Sequence, residues 1–200
     1  EQEISPNYVW GLNFSIRRNT LYDLGGFHPD CIPDHLQHLQ GDGETGLTRQ
    51  ASEKGYLAWY HPEIRVLHQV PETRMTESYF KRRAFYQGIC DSYTQIRQNH
   101  KKPGNPEQPT KAKRRFAVRP QQMLARLKNW LRRNRGSVMS EEQHWKSMML
   151  TAYRNGVEFH QSAVQSTPAL IQWIIQDTYW DYRLPDIPFP AHLKSPWNGN

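Results

Sequence analysis

Only two cysteines, Cys31 and Cys90, occur in 200 residues. A disulfide framework is thereby excluded, and so few thiols accord with a reducing compartment. No run approaches the ~20 apolar residues that would cross a bilayer as a helix. Acidic side chains are scarce in one place. Between residues 101 and 135 the chain carries Glu107 alone, against Lys101, Lys102, Lys111, Lys113, Arg114, Arg115, Arg119, Arg126, Lys128, Arg132, Arg133 and Arg135. The formal charge of +7 therefore belongs to a segment, and the rest of the chain is mildly acidic. Apolar residues make up 36% of the chain, few for a compact fold, but 12% are aromatic and can bury large areas from few positions.

What is there divides into three regions. Residues 8–16, YVWGLNFSI, alternate Trp10, Leu12, Phe14 and Ile16 with Val9, Gly11, Asn13 and Ser15, which predicts a strand. Gly11 and Asn13 would leave its second face open to a ligand. TLYDL predicts a short helix stopped by Gly25-Gly26, and residues 44–54 predict another stopped by Gly55. YLAWY (56–60) and IRVLH (64–68) read as short strands, and residues 77–97 as a long amphipathic helix. Residues 98–119 lack apolar periodicity and read as a basic linker.

The third region, 120–200, reads as a helical extension with an irregular tail. QQMLARLKNWLRRN predicts a basic amphipathic helix, 121–134, with Leu124, Leu127, Trp130 and Leu131 on its apolar side. That stripe suits an anionic membrane surface or packing in a helical bundle, and suits nucleic acid less well. A helix is expected from the Ser140–Gln143 capping box to Gly156, and another from Thr167-Pro168 through Ile175.

Within GDGETGL, residues 41–47, two carboxylates stand among three glycines at a helix mouth. Asp42 and Glu44 can be plain helix-end acids favoured by the dipole, or a general base at the rim of a site. His68 ends the second expected strand, where one imidazole could join a divalent metal's ligands. Arg74, Arg82 and Arg83 offer paired donors suited to a diphosphate.

The order of these segments is more specific than any one of them. NFSIRRNTLYDLGGF, then GDGETGLTRQASEKGY, then YHPEIRVLHQVPETRMTESYFKRRAFYQG resembles the C-terminal half of the catalytic domain of family 2 glycosyltransferases, across about residues 8–97. The resemblance implies an α/β class: a partial GT-A-like region of sheet and helices at 1–97, followed by the mainly α-helical extension. It implies inverting transfer of a sugar from a nucleotide-diphosphate donor to a glycan or lipid-linked acceptor hydroxyl. Glu44 then falls at the family's catalytic base, with Asp42 a rival because Gly43 replaces the acid's usual partner. Arg74, Arg82 and Arg83 fall near the donor diphosphate, His68 near the metal (Mn²⁺ or Mg²⁺), and Gly11, Asn13 and Gly26 on the acceptor side. The family's Asp-x-Asp metal motif has no counterpart here. The expectation is thus a piece of a longer cytoplasmic enzyme, peripheral at the inner membrane face and engaged in polysaccharide synthesis. This piece alone would be inactive. The alternative expectation is a non-catalytic module that binds a membrane surface or a partner through helix 121–134.

Overall fold

The computed structural model describes residues 1–100 and 140–193. The chain forms one main unit, residues 1–101 and 148–200, and a second, 102–147, of which only the stretch from 140 is described. The class is mixed α/β with helices dominant. In order, the elements are β1 (Gln2–Ile4), α1 (Arg18–Asp23), α2 (Glu44–Glu53), β2 (Ala58–Tyr60), α3 (Glu77–His100), α4 (Glu141–Ser166) and α5 (Ala169–Ile175). Short 3-10 turns lie at Pro6–Tyr8, Asp34–Leu39 and Glu72–Arg74.

The sheet is a single antiparallel pair, with Gln2 opposite Tyr60 and Ile4 opposite Ala58. The strand expected at 8–16 is not formed. Ser5 and Pro6 start a 3-10 turn there, and the chain continues through turns and bends. Phe14 and Ile16 still pack against Leu24, Leu47 and Ala51, whereas Trp10 and Leu12 stay exposed. The strand expected at 64–68 is also absent. That segment has no ladder partner among the described residues, its Ile64 carbonyl accepts instead from Asn13 Nδ2 at 2.9 Å, and Leu67 is 96% exposed.

The helices follow the sequence more closely. α1 and α2 occur as expected, and the capping box at the head of α4 is formed reciprocally: the Gln143 amide nitrogen donates to Ser140 Oγ and the Ser140 amide to Gln143 Oε1. α3 runs three residues into the stretch read as linker. Gly156 does not end α4, which continues to Ser166. It sits instead where α4 meets α3. A Cβ on Gly156 would strike the Phe85 carbonyl, and one on Gly88 would strike the Tyr153 carbonyl and approach Val157 N to 2.9 Å. The two glycines let the backbones touch.

The core joins α3, α4, α5 and the Asp34–Leu39 turn through Leu39, Tyr93, Ala163, Val164, Leu170, Trp173 and Ile174, with Tyr179 from the tail. Buried aromatic polar groups fix its register. Trp173 Nε1 donates to the Leu39 carbonyl at 2.9 Å, and Tyr93 bonds Tyr179 through their hydroxyls at 2.7 Å. Arg97, also buried, donates to the Ile174 carbonyl. The turn and α3 are thus anchored on this core, and α3 forms one wall of the site.

Candidate functional site

The site is a cleft of about 410 Å³ between residues 30–32 with Gln40, the head of α2 and one face of α3. Tyr79, Arg82, Arg83, Tyr86, Gln87 and Cys90 reach it from α3 at three- and four-residue steps, the spacing of a single helix face. Asp42 and Glu44 reach it from the glycine loop.

That loop separates its two acids. Gly43 precedes α2 with φ 54° and ψ -126°, a conformation a side chain would strain, and a Cβ there would lie 2.8 Å from Asp30 Oδ2. No side chain caps α2, so Asp42 is not the helix cap its position suggests. Its carboxylate points inward and is 2% exposed. His28 Nδ1–H donates to Oδ1 at 2.5 Å, the Thr94 hydroxyl donates to Oδ2 at 2.5 Å, and Arg49 lies 3.6 Å from Oδ2. Burial alone would raise its pKa, but the His28 bond and charge, with Thr94 and Arg49, outweigh it and hold the carboxyl below its ordinary range. Asp42 is a saturated buried anion.

Glu44 is the first residue of α2 and is half-buried. It has no hydrogen-bond or ion-pair partner among the described residues. A Cβ on Gly11 would come within 3.1 Å of its Cδ and Oε1, so the absence of a side chain at 11 keeps this carboxylate accessible. An unpartnered acid at a helix head, bordering a cleft, is able to take a proton from a bound hydroxyl.

The other expected residues divide. Arg82 and Arg83 line the cleft. Arg74 does not line it but lies 6.0 Å from the ring of Tyr79, which does. His68 is exposed within the segment lacking a ladder partner, and is not part of the lining. Asn13 is engaged with the Ile64 carbonyl, and Gly26, at φ 83°, packs against Trp180. Leu124, Leu127, Trp130 and Leu131 lie outside the described residues, as does most of the linker.

Sequence reasoning missed the polar braces. Asp34 accepts from Arg82 Nη2 at 2.9 Å, from the Tyr86 hydroxyl at 2.9 Å and from Gln37 at 3.3 Å. The i, i+4 pair Arg82 and Tyr86 was visible in the sequence, whereas nothing local marked Asp34 as their distant partner or His28 as that of Asp42. Cys31, at φ 54°, has its thiol pushed up by Asp30 first and burial second, and burial pushes Cys90 up too. Neither is an activated nucleophile.

Among the described residues no three His, Cys, Asp or Glu side chains gather as a metal ion would need, and no helix is long and apolar enough to cross a membrane. What the fold and site define is a helix-dominated α/β protein with a cleft whose lining includes an unpartnered carboxylate and two guanidinium groups. Comparison with protein-family models, curated proteins and solved structures finds no match.

Proposed function

We propose that this chain supplies the acceptor-side half of an inverting glycosyltransferase that uses a nucleotide-diphosphate sugar, with Glu44 as general base. The observation that carries the reading is the division of labour in GDGE: Asp42 is committed to three partners, while Glu44 is free at the cleft. The order of motifs resembling family 2 enzymes supports it independently.

In the proposed reaction an acceptor hydroxyl lies against Glu44. Its oxygen forms a bond to the anomeric carbon as the bond from that carbon to the diphosphate oxygen breaks on the opposite face. The hydroxyl proton passes to Glu44, and the electron pair leaves with the nucleoside diphosphate. Because attack and departure are on opposite faces, the anomeric configuration inverts. Guanidinium groups beside the cleft offset charge growing on the diphosphate. The divalent metal that the resemblance implies would be held mainly by residues of the family's N-terminal half and would stabilise the leaving diphosphate.

The test is product stereochemistry. The intact protein, given nucleoside-diphosphate sugars and a hydroxylated glycan or lipid-linked acceptor, should release nucleoside diphosphate and form a glycoside of inverted anomeric configuration, read by NMR. Retention of configuration would overturn the single displacement and with it Glu44's role as base.

A further inference from the structure

The two adjacent arginines of the cleft are not equivalent. Arg82 is occupied: Nη2 donates to Asp34 Oδ1 at 2.9 Å and Nε to the Tyr86 hydroxyl at 3.0 Å, with its guanidinium carbon 5.3 Å from that ring. Asp34 Oδ1 also receives the Tyr86 hydroxyl and Gln37. Arg83, one residue on, has no hydrogen-bond or ion-pair partner among the described residues. Its charge reaches Cys31 in the cleft, whose thiol also feels Glu44. Among the described residues, the cleft lining therefore holds one unpaired cation, Arg83, and one unpaired carboxylate, Glu44, while its second cation, Arg82, is engaged by Asp34.

We propose that Asp34 sets the cleft's affinity for phosphate-bearing ligands by occupying Arg82, leaving Arg83 as the cation that first receives the anion. A carboxylate and a phosphate compete for the same face of a guanidinium, since both present paired oxygen acceptors to its donors. Asp34 is thus an internal stand-in for ligand oxygen. The side chains of Arg82 and Asp34 are 47% and 37% exposed. An ion pair that open to solvent is a weak one, so a multiply charged phosphate can displace it. Gln37 and Tyr86 keep Asp34 oriented, and Gln37 is itself fully buried in the turn that packs on the core. The competing anion is held by the fold and does not drift away when Arg82 is drawn off.

Asp34's role presupposes the diphosphate reading of the cleft, and a binding measurement separates the two. The probe is inorganic pyrophosphate, titrated calorimetrically into the 200-residue chain at low salt. Arg83→Gln should weaken binding about tenfold, the scale of a charge-assisted contact. Arg82→Gln should change it by less than about twofold, and Asp34→Asn should tighten it by roughly fivefold, the scale of releasing one exposed pair. The double variant Asp34→Asn/Arg82→Gln should return to the wild-type affinity, which a merely structural Asp34 would not produce. If Asp34→Asn does not fold, Tyr86→Phe removes one brace and keeps the ring, and it should tighten binding in the same direction. Equal losses at Arg82 and Arg83, or weaker binding in the folded Asp34 or Tyr86 variant, would overturn Asp34's role alone. A wild-type chain that binds no pyrophosphate would overturn both that role and the assignment of these arginines to a diphosphate.

Discussion

Asp42 and Glu44 are two positions apart and have opposite surroundings. The single reversal at Gly43 turns one carboxylate to the interior and leaves the next at the cleft. Similar logic governs the buried histidines. His160 is fully buried, pairs its Nδ1 with Ser92 Oγ, and is pushed down to about 3 by burial first and by nearby His38 second. His38, whose Nε2–H donates to the Ile187 carbonyl, is lowered as well, again by burial first. A histidine lowered in the fold from 6.5 is protonated preferentially in the unfolded chain. Its contribution is therefore complete above about pH 6.5 and is lost as the pH falls from there, at up to about 1.4 kcal/mol per unit. Asp42, held low, adds to the loss only further into acid, as the pH falls through its own depressed value. Urea unfolding of His160→Gln between pH 6.5 and 4 should show a slope shallower by up to one proton than the wild type. An unchanged slope would mean His160 is not neutral in the fold.

At the scale of elements, the contact of α3 with α4 depends on Gly88 and Gly156. Alanine ordinarily favours a helix interior over glycine by about 1 kcal/mol. Here the new Cβ would meet backbone of the partner helix, which cannot rotate away, and overpacking costs about 1–3 kcal/mol or more. Gly88→Ala and Gly156→Ala should therefore each lower the midpoint of thermal unfolding despite the propensity gain, as circular dichroism can record. This contact also shows what the sequence could convey about elements. Helix periodicity and the Ser140–Gln143 box were legible because their causes lie within a few residues. Gly156 reads as a stop when only neighbours are considered, since the carbonyl that demands a glycine lies on Phe85, far along the chain. Alternation at 8–16 and 64–68 reports a preference for a pleated, half-buried surface, and a strand also requires a backbone partner. β1 pairs instead with Ala58–Tyr60, which leaves Trp10, Leu12, Ile64, Val66 and Leu67 exposed.

At the scale of the molecule, the cleft gathers residues from three separated stretches: 30–32, 40–45 and 79–90. The Tyr79 to Cys90 face was readable because a helix lays out its own side chains. That Cys31, Glu44 and Arg83 would line one cleft was not, because loop closure brings them together and no local pattern encodes it. Nor was the choice between the two acids, which depends on His28 and Thr94, remote in sequence from each other and from the loop. The most direct measurement is therefore a paired one on the intact protein: sugar transfer and nucleotide-sugar binding in Glu44→Gln beside Asp42→Asn. The proposed mechanism predicts that Glu44→Gln loses transfer by two or more orders of magnitude, the scale of a lost general base, while it still binds donor and unfolds at the wild-type temperature. Asp42→Asn should lose activity only together with stability. Near-wild-type turnover in Glu44→Gln, with a folded but inactive Asp42→Asn, would contradict it.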